Sequence, residues 1–126
     1  MLTDTQNIMT PYTLHVGDWV YNKNKCFWPI KISHMDDTYV YTTDGDYYSY
    51  ADLEPVYISD KTIVEFSLPG ENLIIKGKEE NDYLFSAIDN DGESWDFTVN
   101  SIHMLQRHYY GITKKYLKLK WKGANL

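Results

Sequence analysis

Hydrophobic residues come in short alternating runs, cut every few positions by Gly, Asn, Asp or Pro, until the period changes near residue 100. Alternation marks half-buried strands, and the interruptions mark turns. Leu14-His15-Val16 enters a turn at Gly17-Asp18, and Trp19-Val20-Tyr21 leaves it. Gly17 permits an unusual backbone angle there, which keeps Val16, Trp19 and Val20 available for a core. In Pro29-Ile30-Lys31-Ile32-Ser33 the two isoleucines share one face. Residues 38–42 and 47–50 follow turns at Met35-Asp36-Asp37 and Asp44-Gly45-Asp46, and Ala51-Asp52-Leu53 reads as one tight turn ahead of residues 55–58. Five short strands with one helical turn before the last predict a small SH3-like barrel over residues 12–58. Residues 1–11 are polar, end in Pro11, and are expected to form a flexible N-terminal tail.

A second β-sheet unit is predicted over residues 59–126, packed with the barrel as one globular body. Ser59 followed by Ile63, Val64 and Phe66 fits either a capped short helix or a β-branched strand, and Leu68-Pro69-Gly70 ends it in both cases. Residues 73–76, 83–88 and 94–99 read as strands, the last two joined by a hairpin turn at Asp89-Asn90-Asp91-Gly92. Beyond Asn100, Ile102, Leu105, Gln106 and Tyr109 recur at i, i+3, i+4, i+7. That spacing predicts a helix over 101–110, with His103, Arg107 and Tyr110 off its apolar face and Gly111 just past its end. Residues 116–122 alternate strictly, so a final strand should bury Leu117, Leu119 and Trp121 and expose Tyr116, Lys118, Lys120 and Lys122. The fold class is therefore mainly β (α+β).

Charge adds what the pattern does not show. All 18 Asp and Glu lie before Phe97, with 6 Lys and Arg among them, so residues 1–96 carry a formal −12. Residues 97–126 carry 6 Lys and Arg and no acid, a formal +6. This asymmetry fits a nucleic-acid contact, a partner contact, or a basic end docking on its own acidic body. The net charge of −6 argues against whole-surface binding to nucleic acid or anionic membranes, so such a contact would use the basic end alone. A single Cys26 leaves no internal disulfide and no thiolate pair for structural zinc. The start has neither a basic n-region nor an apolar run, and no stretch approaches the ~20 apolar residues of a membrane span, so a cytoplasmic protein without a membrane association is expected.

Candidate chemistry is sparse. His15, His34, His103 and His108 are scattered, and the last two are five apart, too far around a helix to share a ligand. Cys26 beside Phe27 and Trp28 has an apolar neighbourhood that would keep it inert. Asp89-Asn90-Asp91-Gly92-Glu93 lacks the sixth-position Gly and twelfth-position Glu of a calcium loop and reads as a hairpin turn. Neither a metal nor another cofactor is expected, and no catalytic constellation is legible, so the chain is not read as an enzyme. The aromatics carry more. Eleven of the twenty lie between Tyr12 and Tyr57, and alternation pairs Tyr39 with Tyr41 and Tyr48 with Tyr50. Small barrels bind peptides or bases through such clusters, although tyrosine is also simply a good strand former. The lysine face of residues 118–122 fits a charged edge strand as well as a ligand contact.

The run Ile102-His103-Met104-Leu105-Gln106-Arg107-His108-Tyr109-Tyr110-Gly111-Ile112-Thr113, followed by Leu117, resembles the end of a group of small uncharacterised proteins of Bacteroides-type bacteria and their prophages. Leu14-His15-Val16-Gly17-Asp18-Trp19-Val20 resembles their opening, and Leu53-Glu54-Pro55-Val56 with residues 59–66 their central link. The chain departs from the group between Gly70 and Val99, and it has Lys114-Lys115 where a Gly-acid pair is common. The resemblance implies the two-part layout, a short helix after Ser59 and an association with mobile elements; it implies no active site.

The expectation is a non-enzymatic cytoplasmic binding module. Protein or peptide recognition through Tyr39, Tyr41, Tyr48 and Tyr50 leads. The alternative is a nucleic-acid contact through Arg107, Tyr116, Lys118, Lys120 and Lys122.

Overall fold

The computed structural model describes residues 7–123, with the backbone alone for residues 25–27. Strands dominate, arranged as two antiparallel sheets with one main helix. The described chain divides into two compact units, residues 7–56 with 101–103 and residues 57–100 with 104–123.

The first unit contains β1 (Trp19–Asn22), β2 (Lys25–Met35), β3 (Tyr39–Thr42), β4 (Tyr47–Ser49) and β5 (Leu53–Pro55), in sheet order β4-β3-β2-β1-β5. A single 3-10 turn, Tyr50–Asp52, delivers the chain to β5. The sheet is not a closed barrel: among the described residues β4 and β5 stand at its two ends with no pairing between them. With three residues each, they have little ladder to offer a further partner. Long β2 serves both halves, pairing with β1 through Ile30 and Lys31 and with β3 through Ile32, His34 and Met35. An irregularity between Ile32 and His34 lets it bend from one partner to the other.

Met9, Leu14, Val20, Ile30, Ile32, Val40 and Leu53 form this unit's core. Met9, within the segment expected to form a tail, is buried in this core. The opening turn is built as a locked corner. Gly17, at φ +96°, donates its N–H to Ile32 O at 2.8 Å, and Ile32 N–H donates to Asp18 O at 2.9 Å. The Asp18 carboxylate accepts the N–H of His15 at 2.9 Å and is only 1% exposed. Burial pushes its pKa up to about 7, against the lowering effect of that one hydrogen bond. Val16, expected to be available for the core, is exposed instead, since the tight turn swings it outward.

In the second unit, residues 60–65 are helical. Ser59 caps α1 (Asp60–Glu65), its hydroxyl oxygen accepting the N–H of Thr62 at 3.2 Å. Strands β6 (Leu73–Glu79), β7 (Asp82–Ile88) and β8 (Ser94–Val99) form a meander in that order. Registers Ile75↔Phe85 and Phe85↔Phe97 put these apolar residues on one face. Helix α2 (Ile102–Thr113) lies against it, with His108 stacked on Phe97 at 5.1 Å between ring centroids.

The helix buries Ile102, Leu105, Gln106 and Tyr109 as its periodicity predicts. It runs three residues past the predicted end, however, and Gly111 lies inside it. Thr113 continues the buried row one turn beyond Tyr109, bonding Tyr109 O at 2.8 Å, and Lys114 takes the left-handed position at φ +62°. His103, expected off the apolar face, is 1% exposed, because the first turn is buried on every side from Ser101 to Gln106.

The expected final strand is not one. Residues 116–122 bury Leu117 and Leu119 and expose Lys118 and Lys120, but Trp121, expected to be buried, is only half-buried, and among the described residues they join no sheet. The Gln106 side chain takes the place of a partner strand: its Nε2 donates to Leu117 O at 2.7 Å, and its Oε1 accepts Leu117 N–H at 2.8 Å. Farther on, Lys122 N–H donates to Glu65 O and Trp121 Nε1 to Glu65 Oε2, both at 3.0 Å. Leu117 packs so closely on Gly70 that a Cβ there would lie 2.8 Å from it. Gln106→Leu should therefore release this strap, leaving two buried backbone groups unmet at a cost of about 2 kcal/mol. Faster tryptic cleavage after Lys118 or Lys120 is the expected readout; unchanged cleavage would mean the leucines hold the strap alone.

Candidate functional site

Register decides which aromatics meet. The β3–β4 hairpin turns about Asp44, so that Tyr39 pairs with Ser49, Val40 with Tyr48 and Tyr41 with Tyr47. Val40 is fully buried, so Tyr48 beside it faces the core, as does Tyr50. The Tyr50 hydroxyl is tied to Asp36 O at 2.6 Å. The four tyrosines singled out from the sequence thus split in two: Tyr39 and Tyr41 on the outer face, Tyr48 and Tyr50 packed against the core. Tyr47, not singled out, joins the outer pair.

That outer face carries a connected row of rings. Tyr39 and Tyr47 meet edge to face at 5.3 Å between centroids, Tyr47 and Tyr41 are 6.0 Å apart, and His34 from β2 lies 5.4 Å from Tyr41. Tyr47 is 62% exposed and Tyr39 39%, so their ring surfaces remain open. Carboxylates flank the row. Asp36 Oδ1 accepts the N–H groups of Tyr39 at 2.7 Å and Thr38 at 2.8 Å, and these bonds hold its pKa below the usual carboxylate range. Its Oδ2 lies 3.4 Å from the Tyr41 hydroxyl. Burial and the Asp36 charge push the Tyr41 phenol up, so it stays protonated as a donor. Asp44 contacts Thr42 Oγ1 in the hairpin turn, and Asp52 accepts a bond from Ser49 Oγ at 2.9 Å. Residues 32–56 hold six carboxylates and no Lys or Arg. Such a surface repels phosphate and favours cations.

The basic residues of the alternative reading lie in the second unit. Arg107 is exposed on α2; Tyr116 stacks on Tyr110 at 4.7 Å; Lys118 and Lys120 are exposed. Lys122 is only half exposed, because its backbone is tied to Glu65. Sequence reasoning missed Tyr110 as a member of this group, although its i+3 spacing from Arg107 was visible.

Two of the remaining candidates have partners within the fold. Asp89 Oδ1 accepts the N–H groups of Asp91 and Glu93, and Oδ2 accepts Trp95 Nε1, which makes the 89–93 segment a self-bonded hairpin turn. His108, half buried against Phe97, has its pKa lowered by desolvation and then by Arg107. The Cys26 side chain lies outside the described residues. Among the described residues no three His, Cys, Asp or Glu groups converge as a metal set, and no helix is long and apolar enough to cross a membrane. Compared with known proteins, the chain matches no family model, no curated protein and no solved structure.

Proposed function

We propose that this chain is a non-enzymatic binding module that recognises a basic protein or peptide segment through the outer face of β3 and β4. The observation that carries the reading is the tyrosine row of Tyr39, Tyr47 and Tyr41, flanked by carboxylates in a stretch without Lys or Arg. An arginine or lysine laid on a tyrosine ring gains about 0.5–1 kcal/mol at an exposed site, and nearby carboxylates add to it. Asp36, ionised and held in place by two backbone N–H groups, supplies a fixed anionic end to the row. The sheet order β4-β3-β2-β1-β5, with one 3-10 turn before the last strand, supports an SH3-like reading of residues 12–58. Cytoplasmic location and a mobile-element origin belong to the same proposal.

Fluorescence anisotropy with a labelled Arg/Lys-rich peptide and a matched Asp/Glu-rich one tests it. The basic peptide should bind, more weakly as salt rises, and the acidic one should not. Tyr39→Ala with Tyr47→Ala should reduce binding about tenfold with little change in melting temperature, because both rings lie on the outer face, outside the buried core. Equal binding by the double variant, or equal binding of the acidic peptide, would remove the site.

A further inference from the structure

We infer that the second unit carries a separate site for single-stranded nucleic acid, formed where α2 and the strap that follows it present one basic, aromatic surface. The tie between them is the Tyr110–Tyr116 stack, 4.7 Å between centroids and 18° between planes. Tyr110 is 42% exposed, so the stack has an open ring on which an unpaired base can lie. Arg107 precedes Tyr110 by three residues and shares its side of the helix. On the strap, Lys118 and Lys120 follow Tyr116 at alternate positions, all on the side opposite buried Leu117 and Leu119. Flanking buried Leu119 and both exposed, the two ammonium groups form a short row that can track a flexible backbone. Among the described residues, neither lysine meets a carboxylate.

Charge selects the occupant. Residues 97–126 hold six cations and no acid, in a chain whose other residues sum to −12. An anionic ligand is therefore attracted at this end alone, and the contact must be short. A base needs to be unpaired to stack on Tyr110, which favours a single strand over a duplex. A bilayer would need an apolar side chain to insert beside the lysines, but both strap leucines point inward.

The test is anisotropy of the full chain with a labelled oligo-dT, the equivalent single-stranded RNA, a duplex of equal length, and vesicles containing anionic lipid. Either single strand should bind at low salt, with a log–log salt slope of about −2 to −3 for three or four phosphates neutralised. The duplex and the vesicles should bind at least tenfold more weakly. Lys118→Glu with Lys120→Glu should abolish binding while leaving the melting temperature unchanged. Tyr110→Ala should reduce affinity at least fivefold with the salt slope intact, a pattern that loss of charge would not produce. No binding by the native chain, equal binding of duplex or vesicles, or unaltered affinity of the lysine double variant would each overturn the proposal. An unaltered affinity of Tyr110→Ala would overturn the stacking on which its preference for single strands rests.

Discussion

Leu105→Ala should destabilise the second unit by about 2–5 kcal/mol, the range for removing a fully buried leucine side chain and leaving a partly collapsed cavity. Leu105 has no exposed surface and sits mid-face on α2, between Ile102 and Tyr109. The helix also organises its surroundings: Gln106 holds the strap, His108 stacks on Phe97, and the Tyr109 hydroxyl donates to Glu71 O at 2.6 Å. A shift of the helix toward the cavity disturbs all three. Thermal unfolding should show a midpoint lower by roughly 10 °C, given a few degrees per kcal/mol for a unit of this size. A midpoint within about 2 °C of the native chain would mean that α2 is peripheral to the unit's stability.

Asp18 should make the first unit less stable as pH rises. Its pKa is about 7 in the folded chain and roughly 3.9 when unfolded, so the folded state holds the proton more tightly. The stabilisation is complete below about pH 4 and is lost as pH rises through the window up to about 7, for a total of about 4 kcal/mol. Asp18→Asn keeps an oxygen for the His15 N–H while removing the charge, and should abolish this dependence. Urea unfolding of both proteins between pH 4.5 and 8 isolates the group, because other titrating residues contribute equally to each. The difference should shift steadily in favour of the asparagine variant with increasing pH. A constant difference across that range would show that Asp18 ionises in the folded chain as it does in the unfolded one.

Much of the fold was legible because two of its rules are local. Turn chemistry placed Asp44-Gly45-Asp46 and Asp89–Gly92 between strands and Gly17 in the corner just ahead of β1, and the period of 3.6 placed Leu105 and Tyr109 inside a helix; Leu14-His15-Val16 form no strand. The short helix after Ser59 was left undecided by its own residues, since Ile63 and Val64 suit either structure; the resemblance favoured a helix, and the cap from Ser59 to Thr62 forms one. The candidate site was half legible. Tyr39 and Tyr41 follow from alternation, but their companion Tyr47 depends on pairing across the hairpin. Counting outward from Asp44 would have matched Tyr41 with Tyr47 and moved Tyr48 inward beside Val40.

Alternation in residues 117–120 determined that the leucines are buried and the lysines exposed, since exchanging them would put charges in the core, but it did not hold at Trp121, which is only half-buried. It could not determine what satisfies the backbone, and the tertiary structure assigns that task to a glutamine side chain instead of a neighbouring strand. The end of α2 is decided in the same way: Gly111 is a good stop signal by itself, but the buried position of Thr113 carries the helix past it. Burial of Asp18 and exposure of Val16 likewise depend on how the Gly17 corner docks on β2. Periodicity, turn residues and the charge boundary at Phe97 are properties of neighbours along the chain, and the sequence alone determines them. Hydrogen-bond partners, helix ends and the choice of rings that share a face depend on contacts between distant segments, and only the folded chain decides those.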